Sequence, residues 1–514
     1  MNDTYLTGAS RIVLAIALSL ATFLIVLDYS IANVAIPYIS GDLAVSANQG
    51  TYIITSFAVG SAIGLPLTNW LTKRIGSVRL MITSLLLFTL FSGLCGAAST
   101  FPLLITFRFL QGLVAGPLVP LSQTLIITTN PPEKRTPMLA LWSTVVIVGP
   151  LAGPLLGGWI SFDYTWPWIF YINLPVGLLS AGIIWFFLHN KETPIIKEPL
   201  DWVGLLLLAI GLSCLQVFLD RGEQFDWLRS PWMRILATTS LISITLLILW
   251  SLNSKKPLLE LRLFKISSYS ISVILLIFMY SIYFGTIVLI PLWLQENMGY
   301  NAIWAGLAVC PIGLAPLILS KLLSKIVSKY GSVPPLAIGA SLFAISCFYT
   351  AYFDTNVDVY HIGFSRFLLG MGIAFFIIPL FSLSVQDLSR DQLASGTGTF
   401  HLVRAMIGGT GTSVFTTLWI RRSAYHHQVL GESVTPFSSE WISYRNQLAE
   451  LGIEGKKALA LFNTILSDQA AMLGLNDCFY LMGWIFLGLI PLLIFAKKKQ
   501  SAVAHQVKVY PTRS

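Results

Sequence analysis

The chain has 514 residues, 55% of them apolar and only 11% charged, with a mean hydropathy of +0.75. Soluble domains carry about 25% charged residues, and no ordinary domain has a core large enough to hide this much Leu, Ile, Val and Phe. A water-soluble globular protein, a disordered chain and a disulfide scaffold are therefore excluded. The net charge of +9 falls in short clusters between apolar runs, at Lys73 and Arg74, Lys134 and Arg135, Lys255 and Lys256, and 497–499. This is the pattern of cytoplasmic loops, not of a nucleic-acid surface.

A helix needs about 20 apolar residues to cross the hydrocarbon. Windows of that width predict six spans near 12–36, 51–72, 78–98, 102–126, 138–160 and 166–189. Two more follow at 200–220 and 231–250, then six at 269–294, 303–324, 334–353, 359–385, 399–420 and 471–496, fourteen in all. The expected fold is an all-α integral membrane protein. Residues 1–190 form an N-terminal six-helix half, 191–266 two inserted helices with linkers, 267–497 a C-terminal half and 498–514 a cytoplasmic tail. The first run is too long for the apolar region of a signal peptide and reads as an uncleaved span.

With the N-terminus inside, the interior segments collect Arg11, Lys73, Arg74, Arg79, Lys134, Arg135, Lys191, Lys255, Lys256 and Arg390, whereas the short exterior loops hold only Arg221, Arg229 and Arg234. Both termini are thus expected in the cytoplasm. The one long exterior segment, 421–470, leads into an amphipathic stretch, 456–475, expected to extend the last span as a helix.

An ionisable side chain in hydrocarbon costs roughly 2.5 to 3.5 kcal/mol even on lenient scales. Asp28 lies about eight residues from the outer end of the first span and Arg108 about six from that of the fourth, so at 1.5 Å per residue both sit roughly 9 to 12 Å deep. Read functionally, Asp28 is a proton acceptor and Arg108 the positive charge that adjusts it. Otherwise they form a fixed ion pair, or Asp28 reaches water. Tyr29, Asn33, Gln111, Gln123, Tyr280, Tyr283, Gln295 and Gln386 could line a cavity or serve as hydrogen-bonding glue between helices.

In the fifth span Gly149, Gly153 and Gly157 recur every four residues and make a smooth face, extended by Gly158, while Pro150 and Pro154 permit a bend. The face either closes the inner side of a cavity or allows rocking, or it is a tight static interface. His401 reads as a packing residue, and Arg404, near the inner end of its span, as reaching lipid phosphate. The five cysteines have no paired or metal-like spacing, and no His/Cys metal cluster, Walker sequence or Gly-x-Ser-x-Gly elbow occurs.

Arg108-Phe109-Leu110-Gln111-Gly112 recurs 258 residues later as Arg366-Phe367-Leu368-Leu369-Gly370, and Ala35-Ile36-Pro37 echoes Leu289-Ile290-Pro291 at an offset of 254. Two six-span halves running in one direction are a transporter architecture. At the 254 offset Ile282 stands where Asp28 stands, so coupling is expected in the first half.

Together these motifs resemble the major facilitator superfamily and, within it, the fourteen-span drug:proton antiporters. Leu104-x3-Arg108-x2-Gln111-Gly112 is similar to the fourth-span motif, and Gly149-x3-Gly153-Pro154-x2-Gly157-Gly158 to the antiporter motif. The run from Leu27-Asp28-Tyr29 to Pro37 resembles the first-span signature, and Trp166-x-Trp168-Ile169-Phe170-x2-Asn173-x-Pro175-x-Gly177 the sixth-span one. The loop pattern Gly-x-Leu-Ala-Asp-Arg-x-Gly-Arg is met only partly. Asn69 replaces its first Gly and Lys73 its Asp, leaving a cytoplasmic gate loop at Lys73, Arg74 and Gly76 without that carboxylate.

The resemblance implies a proton-coupled secondary exporter of hydrophobic or amphipathic toxic compounds, working by alternating access on the proton gradient with no cofactor. Closer still, 17–23, 116–123 and Leu219-Asp220-Arg221-Gly222 are similar to multidrug exporters of Gram-negative bacteria. That implies the inner membrane and a tripartite pump with an EmrA-like periplasmic adaptor and a TolC-like outer-membrane channel, docked through 421–470. The alternative, by the same mechanism, is export of a cellular amphiphile such as a fatty acid or siderophore. A membrane-embedded enzyme would cluster His, Asp or Ser at one membrane face, and none is seen. A passive channel would show flux without proton dependence and a polar lining in several spans, and the repeat and the single buried acid argue against it.

Overall fold

A helix stands at each of the fourteen expected positions in a computed structural model that describes residues 8–193, 195, 199–254, 257–388, 390–435 and 437–507. In chain order the helices are α1 (Gly8–Asp42), the one-turn α2 (Ala47–Gly50), α3 (Tyr52–Ile75), α4 (Ser77–Gly96), α5 (Phe101–Ala115), α6 (Leu118–Thr129), α7 (Pro132–Asp163), α8 (Trp168–Tyr171) and α9 (Asn173–Leu188). The inserted pair is α10 (Trp202–Arg221) and α11 (Pro231–Asn253). Then follow α12 (Ser267–Glu296), α13 (Ala302–Val309), α14 (Leu314–Tyr330), α15 (Val333–Thr350), α16 (Val359–Val385), α17 (Arg390–Ser433), α18 (Ser439–Glu450) and α19 (Gly455–Val507). Among the described residues no strand occurs, and eleven helical stretches are long and apolar enough to cross a membrane.

Several expected spans are interrupted where the backbone demands it. The fourth breaks between α5 and α6 at Gly116 and Pro117, where proline withholds an N–H from the helix ladder. The tenth passes through a 3₁₀ turn, Cys310–Gly313, around Pro311. The segment 421–470 is not a loop. α17 continues to Ser433, α18 folds back, and α19 starts at Gly455, so 456–475 is helical as expected. Trp441 and Tyr444 of α18 close on Phe462, with ring centroids 5.2 and 5.5 Å apart.

Helix starts follow local chemistry. The Asp201 carboxylate accepts the Gly204 N–H at 2.9 Å to open α10. At α16 the Asp358 carboxylate accepts the His361 backbone N–H at 2.8 Å and contacts its ring, and these bonds hold that carboxyl below its usual range.

We call the end of the bundle near Gly8 the terminal end and that near Asp42 the distal end. In one half α1 packs on α7 and α9, and α3 and α4 on α5; in the other α12 packs on α17, and α15 on α16 and α19. Across the halves α3 meets α17, α7 meets α13, and α1 meets α12. The reciprocity is what a parallel repeat requires, since second and fifth spans of one half meet fifth and second of the other. The inserted α10 and α11 pack on each other, and α10 lies against α3 and α17.

The halves touch at mid-bundle, where a Cβ added to Gly409 would lie 3.2 Å from Ala58 of α3, and at the distal end. Gln295 donates to the Val34 carbonyl at 3.0 Å, and a Cβ added to Gly306 would sit 2.2 Å from the Pro154 carbonyl oxygen. The distal side is therefore closed.

Candidate transport site

The first half encloses an ion pair. Asp28 on α1 and Arg108 on α5 are in direct contact, both 0% exposed. Arg108 Nη1 donates to one Asp28 oxygen; Gln111 Nε2 and Asn173 Nδ2 donate to the other at 3.3 and 3.2 Å. Arg108 also donates to Gln111 Oε1 at 2.8 Å and through Nε to the Ile53 carbonyl at 3.0 Å. Its guanidinium lies 4.4 Å from the Phe57 ring centroid. Arg108 and Gln111 share a helix face because they are three residues apart. Asn173 opens α9 and is held by Ser92 of α4 at 2.9 Å. One carboxylate is thus bound by three side chains, each on a helix with its own partners. An ion pair so enclosed is costly to break from one side, since the survivor stays buried and uncompensated.

Tyr29 turns the other way, toward the second half. Its ring meets Phe57 at 4.8 Å and Phe284 of α12 at 5.9 Å. Tyr280 and Tyr283 join this aromatic group, 6.1 Å apart, and Tyr280 lies 6.1 Å from Phe284. Asn33, one turn beyond Tyr29, donates to the Tyr29 carbonyl at 3.0 Å and leaves its buried Oδ1 without a partner. Gln123 is half-buried on α6, apart from the ion-pair network. Gln386 is exposed at the terminal end of α16 and stands outside the interior group. Gln295 is a strut between the halves.

The glycine face of α7 meets α1 of its own half. A Cβ on Gly149 would lie 2.8 Å from Val26, on Gly153 2.3 Å from Ser30, and on Gly157 2.6 Å from the Ile31 carbonyl oxygen. Gly158 points across, where a Cβ would meet the Ala302 carbonyl oxygen of α13 at 2.3 Å. Gly149, Gly153 and Gly157 thus pack within the first half, from the middle of α7 outward, and Gly158 alone of the four meets the other half, toward the distal end. Pro154 shares the crossing contact through its carbonyl, while the side chain of Pro150 lies outside the described residues.

At the terminal end Lys73 and Arg74 occupy the last turn of α3, and Gly76, with φ +95°, turns the chain into α4. Glu192, from the segment after α9, accepts the Val78 and Arg79 N–H groups at 3.0 and 2.9 Å. A Cβ on Gly76 would strike that carboxylate at 2.2 Å. A carboxylate thus reaches this turn from another segment.

Among the described residues Arg366 is buried without an acid, donating through Nη2 to Thr350 Oγ1 and Ser365 Oγ at 2.9 and 2.8 Å while Nε and Nη1 have no partner. Ile282 is core. His401 stacks on Phe381 at 5.8 Å. Arg404 does not reach for lipid: its guanidinium lies 5.9 Å over the Tyr280 ring, because this face of α17 packs on α12.

Asp220 escaped the reading of single residues, since a charge at a span end is cheap. It accepts Thr55 Oγ1 at 2.7 Å, Gln216 Nε2 at 2.8 Å, and Ser413 Oγ. Thr55 belongs to one half and Ser413 to the other. Asp220 also lines a distal cavity of about 360 Å³ with Tyr52, Thr416 and Ile420.

Two six-helix halves that meet reciprocally across an interface, one of them holding a buried ion pair, define a polytopic membrane transporter. The chain belongs to the Major Facilitator Superfamily, whose family model matches residues 18–412. It is 41% identical over 493 residues to the multidrug export protein EmrB of Escherichia coli K12, covering 96% of each chain. It is 39% identical over 497 residues to the fatty acid resistance protein FarB of Neisseria gonorrhoeae, covering 97% of this chain and 98% of that one. Among solved structures, a peptide transporter POT in complex with sulfate shares the fold at a TM-score of 0.64 and 13% identity, over 95% of this chain and 97% of that one.

Proposed function

We propose that this chain is a proton-coupled exporter of hydrophobic or amphipathic toxic compounds, with Asp28 as the group that takes and gives up the proton. The observation that carries this reading is the buried Asp28 carboxylate, held by Arg108, Gln111 and Asn173 and adjoining a tyrosine that touches the opposite half. Protonation neutralises the carboxylate and leaves Arg108 buried and uncompensated, a penalty of several kcal/mol that favours rearrangement of the halves. Proton entry at the distal side and release at the terminal side supply about 2.3 kcal/mol per 100 mV, and no cofactor is needed. The printed name of the Escherichia coli relative, a multidrug export protein, supports this substrate range. The name fatty acid resistance protein supports a second reading, export of an amphiphile such as a fatty acid, by the same mechanism.

We take the terminal end as cytoplasmic, because the interior loops hold most of the Lys and Arg, and the membrane as a bacterial inner membrane. The turn at Lys73, Arg74 and Gly76, capped by Glu192, is then the cytoplasmic gate loop. The projecting ends of α17 and α19 with α18 are then periplasmic. They expose Phe437 at 89% and Leu451 at 74%, apolar side chains suited to an EmrA-like adaptor that leads to a TolC-like channel.

The test is pH-gradient-driven movement of a hydrophobic dye in inverted vesicles, comparing the parent with Asp28→Asn at matched expression. Gradient-dependent transport that the variant loses supports antiport through Asp28. Normal transport by the variant rejects that assignment.

A further inference from the structure

Arg108, Arg366 and Arg404 each lie inside an expected span, and they are not equivalent. Arg108 has the Asp28 carboxylate; Arg366 is fully buried and gives only its Nη2, to the hydroxyls of Thr350 and Ser365, leaving Nε and Nη1 without a partner among the described residues in a place no ligand reaches. Arg404 is half-buried on α17 and, among the described residues, has neither an ion pair nor a hydrogen bond. Its guanidinium lies over the face of Tyr280, with Tyr29, Tyr283 and His401 also near it. A cation over an aromatic face gains only about 0.5 to 2 kcal/mol. A long side chain with nothing to hold it inward would turn to the lipid headgroups. Arg404 instead faces the interior with its donors unused.

What it faces is an aromatic run that crosses between the halves. From Tyr280 the ring centroids continue 6.0 Å to Phe376 of α16 and 6.1 Å to Phe284, then 5.9 Å to Tyr29 of α1. Asp28, the carboxylate next to Tyr29, is committed to Arg108, Gln111 and Asn173 and is not available to Arg404. One end of this run thus has a positive charge with no acid beside it, and the half-buried rings of Phe284 and Tyr29 offer apolar surface, backed by Tyr280 and Phe376 in the core.

We propose that Arg404 receives the anionic group of the transported compound while the half-buried rings of Phe284 and Tyr29 hold its apolar body, so that the site selects amphiphiles carrying a carboxylate. This rests on the exporter reading and narrows its substrate class. The anion completes the hydrogen bonds the guanidinium lacks, and planar two-point contact with a carboxylate is what a guanidinium does better than an ammonium.

The test is equilibrium binding to the purified full chain in detergent of two probes that share an apolar body, 11-(dansylamino)undecanoic acid and its methyl ester. In the parent the acid binds at least about tenfold more tightly than the ester, which is about 1.4 kcal/mol. In Arg404→Gln the ester binds as before and the preference falls to about one; in Arg404→Lys a reduced preference of two- to fivefold survives. An acid that binds no better than its ester in the parent overturns the proposal without any variant. So does a preference left intact in Arg404→Gln or, should that variant not fold, in Arg404→Lys. Binding needs no proton gradient, so a parent that prefers the acid but moves neither probe on a pH gradient would defeat the antiport reading and leave this one standing.

Discussion

Asp28 and Arg108 illustrate how far single residues can be read. Helical rise alone set both at one depth, and they touch. The other donors to the carboxylate required the rotation of α9 about its axis, which no spacing reveals, so Asn173 was seen only as part of a motif. Rotation also decided Arg404: snorkelling is right for an arginine on a lipid-facing stripe and wrong for one on the face that meets α12. The pair gives a direct prediction. Arg108→Leu leaves a buried carboxylate uncompensated and should cost about 3 to 5 kcal/mol. The double variant Asp28→Leu with Arg108→Leu removes both charges and should recover more than half of that loss while remaining inactive. Thermal unfolding of the purified proteins checks both. A double variant no more stable than the single would mean that the surrounding donors, not the charge pair, set the cost.

At the scale of the element, the glycine spacing of α7 was legible as a face, and the structure adds what each glycine touches. Gly157 meets the Ile31 backbone, which cannot move aside as a side chain can. Gly157→Ala should therefore destabilise the chain by about 1 to 3 kcal/mol, the usual cost of overpacking. Gly41→Ala, where nothing lies within 4 Å of the added carbon, should be neutral or slightly stabilising. Matched melting curves decide. The turn between α3 and α4 was legible only in part. Lys73 in place of an acid looked like a lost carboxylate, yet Glu192, more than a hundred residues on in the chain, caps α4 with two N–H acceptor bonds. A long-range cap has no signature in a local motif. Glu192→Ala should cost about 0.5 to 2 kcal/mol, in the range of a lost N-terminal cap. Glu192→Gln, which keeps an acceptor oxygen, should cost less, and the same melting curves tell them apart.

For the whole molecule, the two halves and their parallel repeat could be read from Arg108 and Arg366 and from the two proline motifs. The purpose of the inserted pair could not, because α10 and α11 have no counterpart in either half against which to compare them. The structure gives α10 a mechanical position. Asp220 accepts Thr55 of α3 and Ser413 of α17, and Tyr52 donates to its carbonyl at 2.7 Å, so one residue ties both halves together at the closed distal end. Hydrogen bonds to a charged acceptor are worth about 1.5 to 3 kcal/mol. Losing that share from the distal-closed state alone shifts the balance of closed and open forms by roughly tenfold or more. Thr416 lies beside this junction, lines the distal cavity and is buried. A cysteine placed there, in a background with the five native cysteines replaced, should react slowly with a water-soluble maleimide in the parent. Asp220→Ala should raise that rate at least fivefold, and Asp220→Asn, which retains one acceptor oxygen, by less. Gly158→Ala attacks the same closure from α7, through the Ala302 backbone, and should raise the rate as well. Gly157→Ala, whose contact lies within one half, should lower stability without changing it. If Asp220→Ala labels like the parent while Gly158→Ala labels faster, the halves close on α7 and α13 alone and α10 is a bystander to the movement.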